Sequence, residues 1–479
     1  MNRETCRNIL LWILPIAGVA FGLWYLGQAT CDVIYSDYIR LVDSYLPDIY
    51  NPKKFFVPDV LTRIPVNYLG RIINVELFGF SVTFDRVLGV VFLGLEGLVL
   101  GIYFRDRDIN CFWFAVLMLM MFSLNKWEML VNGSGWCHFL AFAGFYYHEI
   151  VLDRVWSGRE KAHDRIRLVL LPWLIILGTA GPYCASYAVV LILSYGYCMV
   201  REFFDGRLRE RAGHGRRQPY IIYIACTLVP LLLYMLSNTY VVEEYAGDTG
   251  RPLLTILLDN PTFPIRFLLK SFAGIFIGGE ELKTLMEAGS LSNKGCYFLG
   301  MFVIAGYLLA LWVNIRFGLY EKTILPVMLI AGGGFNHLLV FMARYIFEKE
   351  SYALNSSRYT LQFQVGIFGI ILTCALVMQL RGVRARIYQV LTALFCIAIL
   401  WGNGYTTYHE INKAHYRKEF YELRAERALE IPYLNDEEFA AQAEELADYY
   451  EYWNGTERLR KAFITIEENH WNVFREERR

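Results

Sequence analysis

Long runs of apolar residues recur along most of the 479-residue chain, and they constrain its fold more than any other feature. A run of about 18 or more such residues matches the ~30 Å hydrocarbon core of a bilayer. Because no water reaches that core to satisfy exposed backbone groups, each run must be helical. Hydrophobic residues make up 56% of the sequence, more than a soluble domain of this size contains. We therefore expect an all-α, polytopic integral membrane protein.

The apolar runs predict about eleven transmembrane helices. The run 168–200 would be about 50 Å long as one helix, so it must fold back, and the turn is expected at Gly181-Pro182. The other predicted spans are 9–27, 87–104, 111–124, 136–152, 220–236, 296–313, 324–347, 360–380 and 390–401. Residues 1–403 would then form the membrane domain, and residues 404–479 a small helical segment outside it.

Basic residues mark alternate loops and so predict the orientation. The marked loops begin at Arg105, Arg154, Arg201, Arg316 and Arg381. Short loops rich in Lys and Arg stay on the cytoplasmic side. The N-terminus is therefore expected in the cytoplasm and the C-terminal segment outside, in a bacterial plasma membrane. The long polar loops 31–86 and 241–294 would share the non-cytoplasmic side.

Helical spacing in the first of these loops predicts an amphipathic helix. The apolar positions of the pattern are Ile34, Tyr38, Leu41 and Tyr45. Asp37 and Arg40 lie on the polar flank, which would hold a carboxylate at the level of the lipid headgroups. Asp37, and next to it Asp32, are the candidate catalytic residues. The alternatives are that the charges only keep the helix at the interface, and that Asp32 is a helix cap.

Arg358 is the second candidate site residue, because it precedes a predicted span on the side where basic residues are few. A guanidinium can bind a phosphate through paired donors. The alternative is an arginine that extends to the headgroups as an interfacial anchor. The remaining candidate substrate-binding residues are Tyr359, Arg40, Tyr352, Lys126 and Glu128.

Several motifs are missing from the sequence, and their absence narrows the chemistry. There is no His-Glu-x-x-His, no nucleotide-binding P-loop and no Gly-x-Gly-x-x-Gly turn. Cysteine and histidine spacing predicts no metal site, and no nucleic-acid partner is expected. Asp32, Asp37 and Glu128 could supply oxygen ligands to a divalent cation, Mg²⁺ or Mn²⁺, but nothing in the sequence requires one.

The arrangement resembles the GT-C class of integral-membrane glycosyltransferases, in which a large outer loop with an early acidic residue follows the first span. Asp37-Tyr-Ile-Arg40 is similar to the Asp-Glu-x-Arg stretch of bacterial aminoarabinose and protein mannosyl transferases, with Tyr38 in place of their second acidic residue. Ser357-Arg358-Tyr359 is similar to a late Arg-Tyr of the bacterial members. The resemblance implies that Asp37 lies at the acceptor site and that Arg358 faces the carrier phosphate.

The resemblance also implies the activity, which is transfer of a sugar from a polyprenyl-phosphate carrier to a glycan, lipid or protein acceptor of the cell envelope. One alternative is a surface-polysaccharide polymerase or ligase, which would use an oligosaccharide on a diphosphate carrier. The other is a lipid-linked sugar transporter or flippase, for which internal repeats around a midplane site would be expected.

Overall fold

The computed structural model describes residues 3–56, 65–204, 219–238 and 247–475. In these ranges the chain is helical, with short 3-10 turns and no strand, which confirms the all-α expectation. The first helices are α1 Arg3–Ala29, α2 Asp37–Tyr45, α3 Pro65–Phe78, α4 Val82–Asp106, α5 Cys111–Met121, α6 Trp127–Val131, α7 Trp136–Trp156, α8 Asp164–Gly178, α9 Cys184–Phe204 and α10 Tyr220–Asn238. They are followed by α11 Leu253–Asp259, α12 Phe263–Phe276, α13 Gly279–Glu287, α14 Asn293–Arg316, α15 Leu319–Lys322, α16 Leu325–Arg344, α17 Thr360–Val377, α18 Val383–Ala428, α19 Asp436–Tyr449 and α20 Thr456–Glu468.

Nine helical segments of the described residues are long and apolar enough to cross a membrane. They comprise α1, α4, α5 with α6, α9, α10, α14, α16, α17 and α18. Two of the eleven predicted spans fall short. Helix α8 has only 15 residues, and α7 carries polar side chains such as Glu149 and Asp153 along its 21 residues. Both still belong to the helix bundle, where α7 packs against α4 and α8.

Helix α17 is the central helix of the bundle, since 17 of its 18 residues are buried. It packs against α16 along its length, and α5, α14 and α18 also contact it. A helix that is apolar on all sides is expected at the centre of such a bundle. The 3-10 turn Ser357–Tyr359 precedes it directly, so Arg358 is attached to the most deeply buried of the candidate spans in the described ranges.

A second, smaller core lies at one end of the bundle, which we call the capped end. There α2 packs against α20. The four apolar positions of the predicted stripe are all buried, with relative exposure of at most 1%. Their neighbours in this core come from the C-terminal helices and include Phe439, Tyr450, Phe463 and Ile466. The stripe is therefore buried as its spacing predicts, but protein and not lipid covers it.

Helix α18 joins the two cores. Its 46 residues amount to about 69 Å at 1.5 Å per residue, more than a bilayer requires. The expected boundary at residue 403 falls inside this helix, so the C-terminal segment continues the bundle without a linker. Gly402 allows the close contact, because a Cβ atom there would lie 2.2 Å from the backbone oxygen of Phe276.

Several of the basic residues at which the predicted cytoplasmic loops begin lie at the opposite end of the bundle. Arg107 donates to the buried carboxylate of Asp153 and, at 2.9 Å, to the backbone oxygen of Lys322. Arg201 pairs with Glu321 at 3.1 Å. Several of the basic segments that predict the orientation therefore meet at one end. The most basic loop, around residues 207–217, lies outside the described residues.

Candidate functional site

Asp37 and Arg358 lie side by side at the capped end. Arg358 Nη1 is 2.9 Å from Asp37 Oδ2, and Arg358 Nε is 2.8 Å from Glu128 Oε1. One guanidinium therefore bridges two carboxylates that come from distant parts of the sequence. All three side chains remain partly exposed, at 33% for Arg358, 22% for Asp37 and 21% for Glu128. The bridge is therefore accessible from the surface of the protein.

Two serines fix Glu128 beside Arg358. Ser356 Oγ donates to Glu128 Oε2 at 2.6 Å, and the backbone N–H of Glu128 donates to Ser357 Oγ at 3.0 Å. Arg358 Nε lies 3.1 Å from Ser356 Oγ. The turn before α17 and the start of α6 are thereby held together, which fixes the guanidinium in place without filling all of its five donors.

Asp37 is positioned by the cap, the name we give to the smaller core of α2 and the C-terminal helices α19 and α20. Asp37 is the first residue of α2, and the preceding backbone N–H, that of Ser36, donates to the backbone oxygen of Tyr450 at 2.8 Å. The hydroxyl of the next residue, Tyr38, donates to Asp85 at 2.6 Å and so links α2 to α4. Asp85 also pairs with the fully buried Arg71 of α3, and removing either member of such a buried pair would leave an uncompensated charge.

A cavity of about 290 Å³ adjoins the bridge, and Glu128 forms part of its wall. The charged lining consists of Glu128, Glu280, Arg417, Arg424 and Glu451. The aromatic lining consists of Tyr35, Trp127, Phe420 and Tyr421. The cavity thus lies between the bundle, the first long loop and α18, at the point where the two cores meet.

Most charges on the cavity wall are paired. Arg417 binds Glu410 at 2.7 Å, and its guanidinium lies 3.2 Å from the centre of the Trp127 ring. Arg424 binds Glu451 at 2.6 Å. These contacts hold both arginines against the wall, where guanidinium groups stack on aromatic faces.

Glu280, the second residue of α13, differs from the other charged residues of the wall. It makes no ion pair within the described ranges, and it accepts a hydrogen bond from the backbone N–H of Ser357. Burial raises the pKa of its carboxyl to about 8, and the neighbouring carboxylates of Glu128 and Glu410 add to this effect, while Arg417 opposes it.

The structure places the other predicted site residues apart from the bridge or at its margin. Arg40 Nη2 lies 3.8 Å from Asp37 Oδ1, at the margin. Tyr359 accepts a hydrogen bond from Arg344 at 2.6 Å, and Tyr352 stacks on Phe347. Lys126 is fully buried and donates to Gln364 at 2.9 Å, away from the cavity that its neighbours Trp127 and Glu128 line.

Asp32 is a buried anchor of the cap. It accepts hydrogen bonds from Ser81 at 2.9 Å and from the backbone N–H of Val82 at 2.7 Å, and it pairs with Arg475 at 2.8 Å. Its contacts therefore bind the start of α4 to the C-terminal residues. Of the two candidate carboxylates, Asp37 alone meets Arg358.

The described residues contain no group of three or more His, Cys, Asp or Glu side chains able to hold a metal ion. The oxygen set considered from the sequence, Asp32, Asp37 and Glu128, does not assemble, because Asp32 faces Arg475 while the other two face Arg358.

Sequence reasoning missed Glu280, Trp127 and Arg417. For Glu280 a local signal exists, since Gly278-Gly279 followed by two glutamates is typical of a helix start in a polar loop. For Arg417 there is none, because in the sequence it is one charge among many in the second half of α18.

No family model, curated protein or solved structure matches this chain.

Proposed function

We propose that the protein is a membrane glycosyltransferase that moves a sugar from a polyprenyl-phosphate carrier to a hydroxyl acceptor of the cell envelope. The observation that carries the proposal is the guanidinium of Arg358, partly exposed between two carboxylates beside a polar cavity. An arginine so held suits a phosphate, and a carboxylate beside it suits the hydroxyl that attacks.

The proposed reaction is a single displacement. The acceptor oxygen forms a bond to the anomeric carbon of the donor, and the bond between that carbon and the phosphate oxygen breaks. The electron pair leaves with the polyprenyl phosphate, whose new charge is stabilised by Arg358. The hydroxyl proton passes to a carboxylate, for which Asp37 is our candidate.

The ion pairs supply an order of events. Without donor, Arg358 is neutralised by Asp37 and Glu128. An arriving phosphate competes for the same donors, so its binding loosens Asp37 from the guanidinium and leaves that carboxylate free to accept a proton. Glu128 remains fixed through Ser356 and Ser357.

A binding assay on the full chain in detergent tests the proposal, with polyprenyl monophosphate as the probe. Arg358→Ala should weaken binding at least about tenfold, since a charge-assisted hydrogen bond contributes about 1.5–3 kcal/mol. Arg201→Ala is the matched control, because Arg201 is also ion-paired and is 34% exposed at the opposite end. Equal affinity of Arg358→Ala and the native protein would refute the phosphate role.

Two additions make the assay decisive. Arg358→Lys keeps a cation between the carboxylates, so it should fold normally while losing the paired donor geometry. Polyprenyl diphosphate as a second probe addresses the polymerase or ligase alternative, which would require the diphosphate to bind more tightly than the monophosphate.

A further inference from the structure

The cavity beside Glu128 has walls suited to a particular kind of ligand. Its volume of about 290 Å³ lies at the lower end of the ~300–1,000 Å³ typical of small-molecule sites. It is therefore large enough for a small polar group and too small for a folded peptide or a nucleic acid segment.

The charges on the wall disfavour an anion. Three carboxyl groups face two guanidinium groups, and both guanidinium groups are already paired, Arg417 with Glu410 and Arg424 with Glu451. An anionic ligand would therefore find no unpaired cation among these lining residues and would have to displace a carboxylate from a guanidinium group.

The polar groups that remain available can form further hydrogen bonds. Glu280 makes one hydrogen bond, with the backbone N–H of Ser357, and its carboxyl group has further hydrogen-bonding positions. The side-chain amides of Asn132 and Asn355 also line the cavity and add donors and acceptors. A ligand rich in hydroxyl groups can satisfy such a wall.

The aromatic residues of the cavity wall supply apolar surface beside these polar groups. Rings of Tyr35, Trp127, Phe420 and Tyr421 offer flat apolar surface next to the acceptors. A pyranose ring has apolar C–H faces and a hydroxyl-bearing edge, so it combines the two surfaces that this cavity presents together. An acyl chain would leave the carboxyl and amide groups without partners.

We propose that this cavity binds the ring of a neutral sugar, with the carboxyl group of Glu280 hydrogen-bonded to its hydroxyl groups. The assignment rests on the proposed transferase function for its role, while the binding is measurable without any transfer. The bound ring belongs either to the acceptor or to the donor. In both cases the ring would lie close to Arg358, because Glu128 lines the cavity and also pairs with Arg358.

Saturation-transfer NMR on the full chain in detergent tests the assignment, with the methyl glycosides of a neutral hexose and of a uronic acid as probes. The hexose should give signals and the uronic acid weaker ones. Asn355→Trp, at an exposed position on the cavity wall, should abolish the hexose signals. Glu280→Leu should weaken hexose binding about tenfold, and Glu287→Gln on the exposed side of α13 should leave it unchanged.

Several results would overturn the assignment, namely no signal from the hexose, preference for the uronic acid, or unaltered hexose signals in Asn355→Trp. A polyprenyl-phosphate hexose added as competitor then distinguishes the two sources. Loss of the glycoside signal assigns the cavity to the donor ring, and persistence of the signal assigns it to the acceptor.

The failures of the two proposals are also distinguishable. Hexose binding without any affinity for polyprenyl monophosphate would keep the sugar cavity and remove the transferase. Phosphate binding that depends on Arg358, without hexose binding, would do the reverse.

Discussion

The guanidinium of Arg358 lies 2.9 Å from the carboxylate of Asp37, although 321 positions separate the two residues in the chain. Asp37 is positioned by the cap, and Arg358 is positioned by the central helix of the bundle. Their contact depends on how the cap sits on the bundle, so a change in that packing alters the site. The following expectations test this relationship and its consequences.

Replacing Asp37 by Asn should reduce transfer by about a hundredfold or more, which is the range of contributions from a general base. Folding should be little affected, because Arg358 keeps Glu128 as a partner and an ion pair as exposed as this one contributes about 1 kcal/mol or less. Transfer and melting temperature would be measured together. Full activity of the variant would exclude Asp37 as the base.

The three members of the bridge should be energetically coupled. A double-mutant cycle with Glu128→Gln and Arg358→Gln would be measured by the affinity for the polyprenyl-phosphate donor. It should give an interaction energy of about 0.5–3 kcal/mol. The same cycle on Arg201 and Glu321 should give no coupling in donor affinity. Strict additivity at Glu128 and Arg358 would show that Glu128 does not orient the guanidinium.

Glycine 402 should be essential to the junction of α18 with the bundle. Gly402→Ala should lower the melting temperature, because its Cβ would lie 2.2 Å from the backbone oxygen of Phe276 and the backbone would have to move. Gly404, on the same helix, has no atom within 4 Å of the position of its Cβ. Gly404→Ala should therefore be neutral or slightly stabilising. Equal melting temperatures for the two variants would contradict the close packing.

The cap should lose stability when its core is opened. Phe463 is fully buried and its ring centre lies 4.9 Å from that of Tyr450, so Phe463→Ala should cost about 3–5 kcal/mol within that core. Hydrogen exchange should increase in α2, which packs against α20, and remain low in α17. Uniform exchange in both helices would mean that the cap and bundle unfold together.

Glu280 should make stability depend on pH. Its pKa is about 8 in the folded protein and about 4.5 when unfolded, so the folded state binds more protons between these values. Stability therefore falls as pH rises from about 4.5 to about 8. Glu280→Gln removes this loss of stability. The difference in melting temperature, variant minus native protein, should therefore increase as the pH rises from about 4.5 to about 8 and stay constant above about pH 8. A difference that is constant with pH would show that the carboxyl is not protonated when buried.

The sequence alone identifies several residues of this site, but it does not show which of them come into contact. Asp37 and Arg358 can be singled out because a carboxylate on an amphipathic helix and an arginine beside a span are unusual locally. Their pairing cannot be predicted, since helical spacing reports which face is apolar and not what covers that face. Glu280 was missed because its distinction is its place on the cavity wall without an ion pair within the described ranges, which is a property of the fold.

The same limit explains the differences in the fold. The apolar stripe of α2 predicts that this face of the helix is buried, but such a face can pack against lipid as well as against protein. Only the structure shows that α20 covers it. The sequence predicts eleven spans, whereas the described residues contain nine candidate spans. The two additional predicted spans are α7, whose apolar run is interrupted by polar residues, and α8, which is short. Spans such as α4, with neither defect, agree with the prediction.

The most direct test of the central claim is an experimental structure of the full protein with polyprenyl monophosphate bound. We expect the phosphate within hydrogen-bond distance of the Arg358 guanidinium, with Asp37 released from it. A phosphate bound at the opposite end, near Arg107 or Arg201, would contradict the proposed site.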